Sequence, residues 1–265
     1  MDAPAPSWLT ERPIAHRGLH AGRSTPNGGN VRRPVENTIA AAEAAAAGGF
    51  GIECDVQLSR DGEAVVFHDD TLDRLTAASG PLGARTLAEL ADIPFRDDPA
   101  ARIPTLSAFL DIIPPATTVL VEIKSAFDGS LALARRVAKV IAGQPQRIAL
   151  MSFDDEAVAE ACRLAPERPC GLVAEASYSH SEWDFLPAPR RAALSAPDRL
   201  ERLRPAFLAW RVSDLPHPLP ASARQSGRPV LTWTVRTPAD RAIAAAHADQ
   251  IIFEGFRPDG ERPRT

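Results

Sequence analysis

Short apolar runs rich in β-branched and aromatic residues alternate with helix-forming segments along nearly the whole chain, and this alternation limits the fold more than any other feature. Strand-like runs stand at residues 13–15, 50–56, 117–124 (TTVLVEIK), 147–152, 169–174, 206–210, 230–235 (VLTWTV) and 250–253. Between them lie helical stretches at 39–47 (IAAAEAAAA, capped by Asn37 or Thr38 and stopped by Gly48 and Gly49), 131–141, 154–164 and 238–247. Strands joined through helices pair in parallel, because each crossover returns the chain to the same end of the sheet. About eight such units in 265 residues predict a closed (β/α)8 barrel, one α/β domain over residues 1–265. An open doubly wound sheet is the alternative. It calls for a glycine-rich phosphate turn after an early strand, whereas GGFG at Gly48 precedes one. Residues 74–102 break the alternation with turns and one short helix, TLAEL, and read as an insertion. Residues 19–35 read as a long Gly- and Pro-containing loop. Residues 175–204 read as a loop with one helix, its arginines forming a solvated face.

The stretch FGIECDVQLSRDGEAVVFHDD at residues 50–70 is anomalous for a barrel strand and its sequel. Residues two apart on a strand share a face, so Glu53 and Asp55 project together while Ile52, Cys54 and Val56 face the other way. A half-exposed edge hairpin with solvated charges is the plain alternative. In a barrel, however, chemistry collects at the C-terminal ends of the strands, and other strands bring ionisable groups to that level: His16 and Arg17, His68 after the second run, Glu122 and Lys124. Ser152, Trp210 and Trp233 also stand near strand ends. Crowded carboxylates repel one another, and a divalent cation resolves this. Glu53, Asp55 and Glu122 are hard oxygen ligands, suited to Mg²⁺ or Ca²⁺ rather than zinc, and the chain has no HExxH or CxxC pattern. Arg17 and Lys124 make the same pocket attractive to phosphate. Only Lys124 and Lys139 are lysines among 30 basic side chains, so Lys124 marks a place that uses a compact ammonium. His16 and His68 suit a proton-transfer pair, as cleavage of a phosphodiester needs both a base and an acid.

The formal net charge of −4 argues against a nucleic-acid partner. No apolar run approaches membrane-spanning length, so no stable membrane association is expected. The first residues carry no charged region followed by an apolar one, and the three cysteines read as buried thiols. Cytoplasmic location follows as the expectation.

Read together, AHRG at Ala15, ENT at Glu36, IECDVQLSRDG at Ile52, VFHDDTLDR at Val66, VEIK at Val121, MSFD at Met151 and TWTV at Thr232 resemble the glycerophosphodiester phosphodiesterases over nearly the whole chain. The resemblance implies a TIM-type barrel with a small insertion after the second strand. It implies Mg²⁺- or Ca²⁺-dependent hydrolysis of a small-molecule glycerophosphodiester to an alcohol and glycerol 3-phosphate, through a cyclic phosphate. His16 and His68 then resemble the general acid/base pair. Glu53, Asp55 and Glu122 look like metal ligands, and Arg17 and Lys124 like phosphate-binding cations. Glu36 looks like a residue near metal or substrate, and Trp233 like a wall for glycerol. One departure stands at the last strand: where many relatives carry an acidic TDxP turn, this chain has IIFEGFRP. Either Glu254 takes that place or substrate selection changes. Glu36 also reads as a helix-dipole acid, Trp233 and Trp210 as core aromatics, and His20, His180, His217 and His247 as surface histidines. Rival functions are a non-turnover phosphate-ester binder, a metal-dependent isomerase or lyase, and a phospholipase D-like enzyme acting on lysolipids.

Overall fold

The computed structural model describes residues 5–20, 34–196 and 198–258; residues 21–33 of the expected long loop lie outside these. The described residues form nine strands: β1 (Ile14–Ala15), β2 (Gly51–Leu58), β3 (Ala64–Val66), β4 (Thr118–Ile123), β5 (Arg147–Ser152), β6 (Cys170–Ala174), β7 (Phe207–Arg211), β8 (Val230–Val235) and β9 (Gln250–Phe253). All neighbours pair in parallel except β3, which turns back against β2 through Val56 and Val66. Ile14 of β1 pairs with both Gly51 and Ile252, so the eight parallel strands close on themselves and β3 hangs outside the ring. The barrel, not the open sheet, is the fold.

The nine helices of the described residues are α1 (Ile39–Ala47), α2 (Leu87–Ala91), α3 (Leu106–Asp111), α4 (Ala132–Ile141), α5 (Asp155–Leu164), α6 (Ala188–Leu194), α7 (Arg199–Leu203), α8 (Pro218–Gln225) and α9 (Pro238–His247). Their starts follow local chemistry. Thr38, Thr86, Thr105, Asp154 and Thr237 each accept a hydrogen bond from a first-turn N–H, and Thr86 and Thr237 complete capping boxes with Glu89 and Asp240.

Alternation along each strand divides the core. Ile52, Cys54 and Val56 pack outward with Val119 and Val121 against the helices. Ile14, Leu120, Ala149, Val173, Phe207 and Leu231 fill the interior with Leu9. A side chain on Gly171 would place its Cβ 2.3 Å from the Phe207 ring, so the small residue on β6 makes room for the large one on β7. Among the described residues, the barrel interior is thus filled with side chains. Residues 74–102 hold α2 and several turns, which cover a separate cluster of Val65, Phe67, Leu72, Leu82, Leu90 and Phe95.

Residues 175–204 differ from the expectation. They hold a 3₁₀ turn (Ser181–Trp183) and two helices, α6 and α7. Arg199 is 3% exposed rather than solvated. Its guanidinium pairs with Asp155 at 2.6 Å and donates to the Phe153 carbonyl and the Tyr178 hydroxyl, so a buried charge is offset by partners from two segments. His20 is likewise buried, and His217 caps α8 while its ring stacks 4.8 Å from that of Trp210.

Candidate active site

The chain leaves β1 through two unusual conformations. Arg17 has φ 55° and Gly18 φ 77°. The bend turns the Arg17 N–H onto Glu53 Oε2 at 2.9 Å. Only glycine fits next, since a Cβ on Gly18 would lie 2.7 Å from the Ala41 carbonyl carbon of α1. Asn37, also left-handed at φ 56°, donates its N–H to the Arg17 carbonyl at 2.9 Å. Its amide donates to Asp55 Oδ2 at 2.9 Å and accepts from the Asp55 N–H at 3.2 Å. Thr38, not Asn37, caps α1, which frees Asn37 to clamp the end of β1 to the acid on β2.

Asp55 stands opposite Glu122 in the β2–β4 register. Glu53 and Asp55 are 1% exposed and Glu122 8%, and one oxygen of each lies within 4.8 Å of the others. Lys124 Nζ spans Asp55 Oδ1 at 2.9 Å and Glu122 Oε1 at 2.7 Å. Burial pushes the Glu53 carboxyl well above the usual carboxylate range, and repulsion from Asp55 and Glu122 adds to this. Burial acts on Asp55 in the same sense, but Lys124, His68 and Arg17 outweigh it and hold that carboxyl well below the usual range. The charges are therefore compensated around Asp55 and not around Glu53. Three buried carboxylates with oxygens this close together offer a hard donor set that fits a divalent cation. Arg17 Nε is buried 3.3 Å from Asp55 Oδ2 without hydrogen-bond alignment, so a donor is left over beside the acids.

Both imidazoles are held the same way. His16 Nδ1 meets Glu254 Oε2 at 2.8 Å, and His68 Nδ1 meets Asp69 Oδ1 at 2.8 Å. Each carboxylate favours hydrogen on Nδ1 and leaves Nε2 as the working nitrogen. His16 Nε2 lies 3.9 Å from Glu53 Oε2. Burial, helped by the Arg17 charge, lowers the His16 pKa to about 4, so the ring is neutral near pH 7.

His16, Arg17, Glu53, Asp55, His68, Glu122, Lys124 and Trp233 all line one cavity of about 780 Å³ at the C-terminal end of the barrel. Glu36 does not line it. Its carboxylate stands behind, between Arg17 Nη1 at 2.7 Å and Arg74, whose Nη2 and Nη1 approach at 2.7 and 2.9 Å. Arg74 also grips Asp69, so charge alternates from Asp69 through Arg74, Glu36 and Arg17 to Asp55. Burial raises the Glu36 pKa, yet the hydrogen bonds and charges of Arg74 and Arg17 bring it down to about 2. Trp210 faces the other side of β7 and packs among Leu208, Leu215 and Val230. Ser152 donates to the Ile123 carbonyl at 2.7 Å.

Sequence reasoning missed Asn37, Asp69 and Arg74 as parts of the site. The signal lay inside the motifs ENT and HDDTLDR, of which Glu36 and His68 alone were singled out. It also missed Glu175, 3% exposed at the end of β6, which accepts from His180 Nε2 at 2.8 Å, Arg211 Nη1 at 2.6 Å and the Trp183 indole.

A family model described as "Glycerophosphoryl diester phosphodiesterase family" matches residues 16–255. A glycerophosphodiester phosphodiesterase of Caldanaerobacter subterraneus subsp. tengcongensis is 34% identical over 169 residues, 60% of this chain and 65% of that protein. Glycerophosphodiester phosphodiesterase 1 of Mus musculus is 34% identical over 133 residues, 47% of this chain and 37% of that protein. The matches thus span less than two thirds of the length of these curated relatives. Among solved structures, a phosphodiesterase of Oleispira antarctica in complex with the product sn-glycerol-3-phosphate superposes with a TM-score of 0.74 at 24% identity, covering 93% of this chain and 94% of that one. A glycerophosphodiester phosphodiesterase of Thermotoga maritima does so with a TM-score of 0.67 at 22% identity, covering 91% and 92%. These likenesses are of fold. The matched span opens at His16 and runs past Glu254, so the acids, imidazoles and cations of the barrel rim all fall within it, and the chain belongs to the glycerophosphoryl diester phosphodiesterase family.

Proposed function

We propose that this protein hydrolyses glycerophosphodiesters to an alcohol and glycerol 3-phosphate, with Mg²⁺ or Ca²⁺ as cofactor. The observation that carries the reading is the convergence of three buried carboxylates and two carboxylate-backed imidazoles on one cavity. Glu53, Asp55 and Glu122 would hold the cation, which when bound supplies positive charge for the phosphoryl oxygens. Arg17 and Lys124 add donors to those oxygens and disperse the charge that builds up in the transition state.

His16 starts neutral with Nδ1 committed to Glu254, so Nε2 can take the proton of the attacking glycerol hydroxyl. The oxygen so activated attacks phosphorus, and the alcohol departs with a proton from His68, leaving a cyclic phosphate. Water then opens the ring while the two histidines exchange roles. Asp69 and Glu254 orient the rings and stabilise each imidazolium as it forms. Trp233, whose indole donates to the Ala209 carbonyl at 3.0 Å, offers a fixed face to the glycerol moiety.

A panel of glycerophosphodiesters assayed with and without a chelator tests the proposal. Chelator-sensitive release of glycerol 3-phosphate is expected. Binding of diesters with no turnover under any metal condition would leave only a phosphate-ester binder.

A further inference from the structure

His20 reads as a surface histidine in the sequence, yet it is 8% exposed. The bend that carries the chain out of β1 explains this. After the left-handed pair Arg17 and Gly18, the His20 N–H donates to the Gly18 carbonyl at 3.2 Å and the Leu19 N–H to the Ala41 carbonyl of α1 at 2.9 Å. This tight, pinned turn brings the second imidazole back beside the first. β9 supplies a third group. Its register sets Phe253 against Ala15, the His16 N–H donates to the Phe253 carbonyl at 2.9 Å, and the next residue is Glu254. One ring nitrogen each from His16 and His20 and one Glu254 oxygen thus lie within 4.8 Å of one another.

This donor set differs in kind from the three carboxylates. Oxygen-only sets take Mg²⁺ or Ca²⁺, whereas two imidazoles and a carboxylate suit Zn²⁺ and similar borderline ions. Zinc bonds of about 2.0–2.1 Å in a tetrahedron hold ligand atoms roughly 3.4 Å apart. His16 Nδ1 and Glu254 Oε2, at 2.8 Å, need open only slightly to admit the ion. Arg236 Nη2 also holds Glu254 Oε2 at 2.7 Å, but its side chain is 52% exposed and has room to swing into water. The two donor sets meet at His16, whose Nε2 faces Glu53 Oε2 at 3.9 Å while Nδ1 faces Glu254. The imidazole set therefore lies on the opposite edge of the ring from the carboxylates.

We propose that His16, His20 and Glu254 form a metal site separate from the carboxylates, selective for Zn²⁺ or a similar borderline divalent ion, whose occupation switches off phosphodiester cleavage. The switching rests on the proposed function; the binding does not. A metal on Nδ1 displaces the hydrogen that Glu254 favours there. In the neutral ring the one N–H then belongs to Nε2. That nitrogen no longer offers a lone pair to the proton of the attacking hydroxyl, so His16 ceases to be a base. The carboxylates keep their own hard cation throughout.

The test titrates Zn²⁺ into the full chain assayed on glycerophosphocholine, with Mg²⁺ or Ca²⁺ saturating. Turnover is expected to fall to background, and more Mg²⁺ should not restore it. His20→Phe, a change outside the reaction, should leave turnover near that of the parent and require at least about tenfold more Zn²⁺ for half inhibition. Equal sensitivity of parent and variant overturns the proposal. So does inhibition that excess Mg²⁺ relieves, because the Zn²⁺ would then sit on the carboxylates. Co²⁺ absorption reads the site without turnover. With Mg²⁺ present, Co²⁺ should give the visible bands of a four-coordinate, imidazole-ligated ion, and Glu254→Gln should bind it at least about tenfold more weakly. Absent bands, or equal Co²⁺ affinity in that variant, end the proposal even where His20→Phe does not fold. Failure to cleave any diester would instead count against the underlying reaction, and the Co²⁺ titration would still decide the site.

Discussion

Each rim imidazole carries a carboxylate on Nδ1, and the reaction proposed above gives the two histidines different tasks. If His16 is the base and His68 the acid, replacing each by alanine lowers kcat by about 10²–10⁴ on a diester with an alkyl alcohol. A leaving group such as p-nitrophenolate departs without protonation, so the loss in His68→Ala should shrink by at least about tenfold on that substrate. The His16→Ala loss should persist. Equal rescue of both variants in steady-state assays would refute the division of roles. Glu254→Gln keeps the shape but weakens the hold on the imidazolium, and a fall of about tenfold to hundredfold in kcat is expected, with KM little changed. Glu254 could be suspected from the sequence because it stands where an acidic turn was expected. Asn37 stood inside the ENT motif, but its two hydrogen bonds to Asp55 depend on a left-handed backbone that no side-chain pattern reveals.

Between β1 and α1, glycine sets how closely helix and strand can approach. Gly18 combines φ 77° with a Cβ position 2.7 Å from the Ala41 backbone, whereas Gly49 has φ 73° and nothing within 4 Å. Gly18→Ala should therefore cost about 2–4 kcal/mol and Gly49→Ala only about 1 kcal/mol, read as a shift in urea midpoint at unchanged slope. Similar losses in the two variants would mean that α1 yields easily and that the close approach does not hold the Arg17 bend. The boundaries of α1, α5 and α9 were legible because threonine and aspartate caps work within one turn of chain. The pair α6 and α7 was not. It depends on the buried Arg199 reaching carbonyls and Asp155 on other segments, and its arginines carry no sign that one of them goes inside.

At the scale of the whole molecule, the rim is a trade of stability for function. Glu53 is buried beside two other acids and its carboxyl is pushed up, so ionising it near neutral pH opposes folding. Glu53→Gln should raise the apo Tm by a few degrees while removing the stabilisation that Mg²⁺ or Ca²⁺ gives the native protein. A thermal-shift titration that responds to metal as strongly as before would show that Glu53 is not a ligand. Glu36 has the opposite sign. Its folded pKa of about 2 lies below the ordinary glutamate value of 4.5, so the unfolded chain binds the extra proton first. The stabilisation is complete above about pH 5 and is lost as pH falls through 4.5 toward 2. Acid titration of unfolding should show native protein losing roughly 2 kcal/mol more than Glu36→Gln across that window; parallel curves would mean that Arg17 and Arg74 do not hold the carboxylate as drawn.

The alternation of strands and helices, the outward packing of Ile52, Cys54 and Val56, and the gathering of His16, Glu53, Asp55, His68, Glu122 and Lys124 at one rim were readable from the chain. Strand periodicity and the parallel crossover dictate them before any tertiary contact forms. Closure of the ring decided the rest. It set Glu254 of the last strand against His16 of the first. It put Glu36 behind the site between two arginines. It turned Trp233 into the cavity and Trp210 out of it. Such pairings depend on which residues far apart in sequence come to face one another, and that is a property of register and closure that local pattern does not carry.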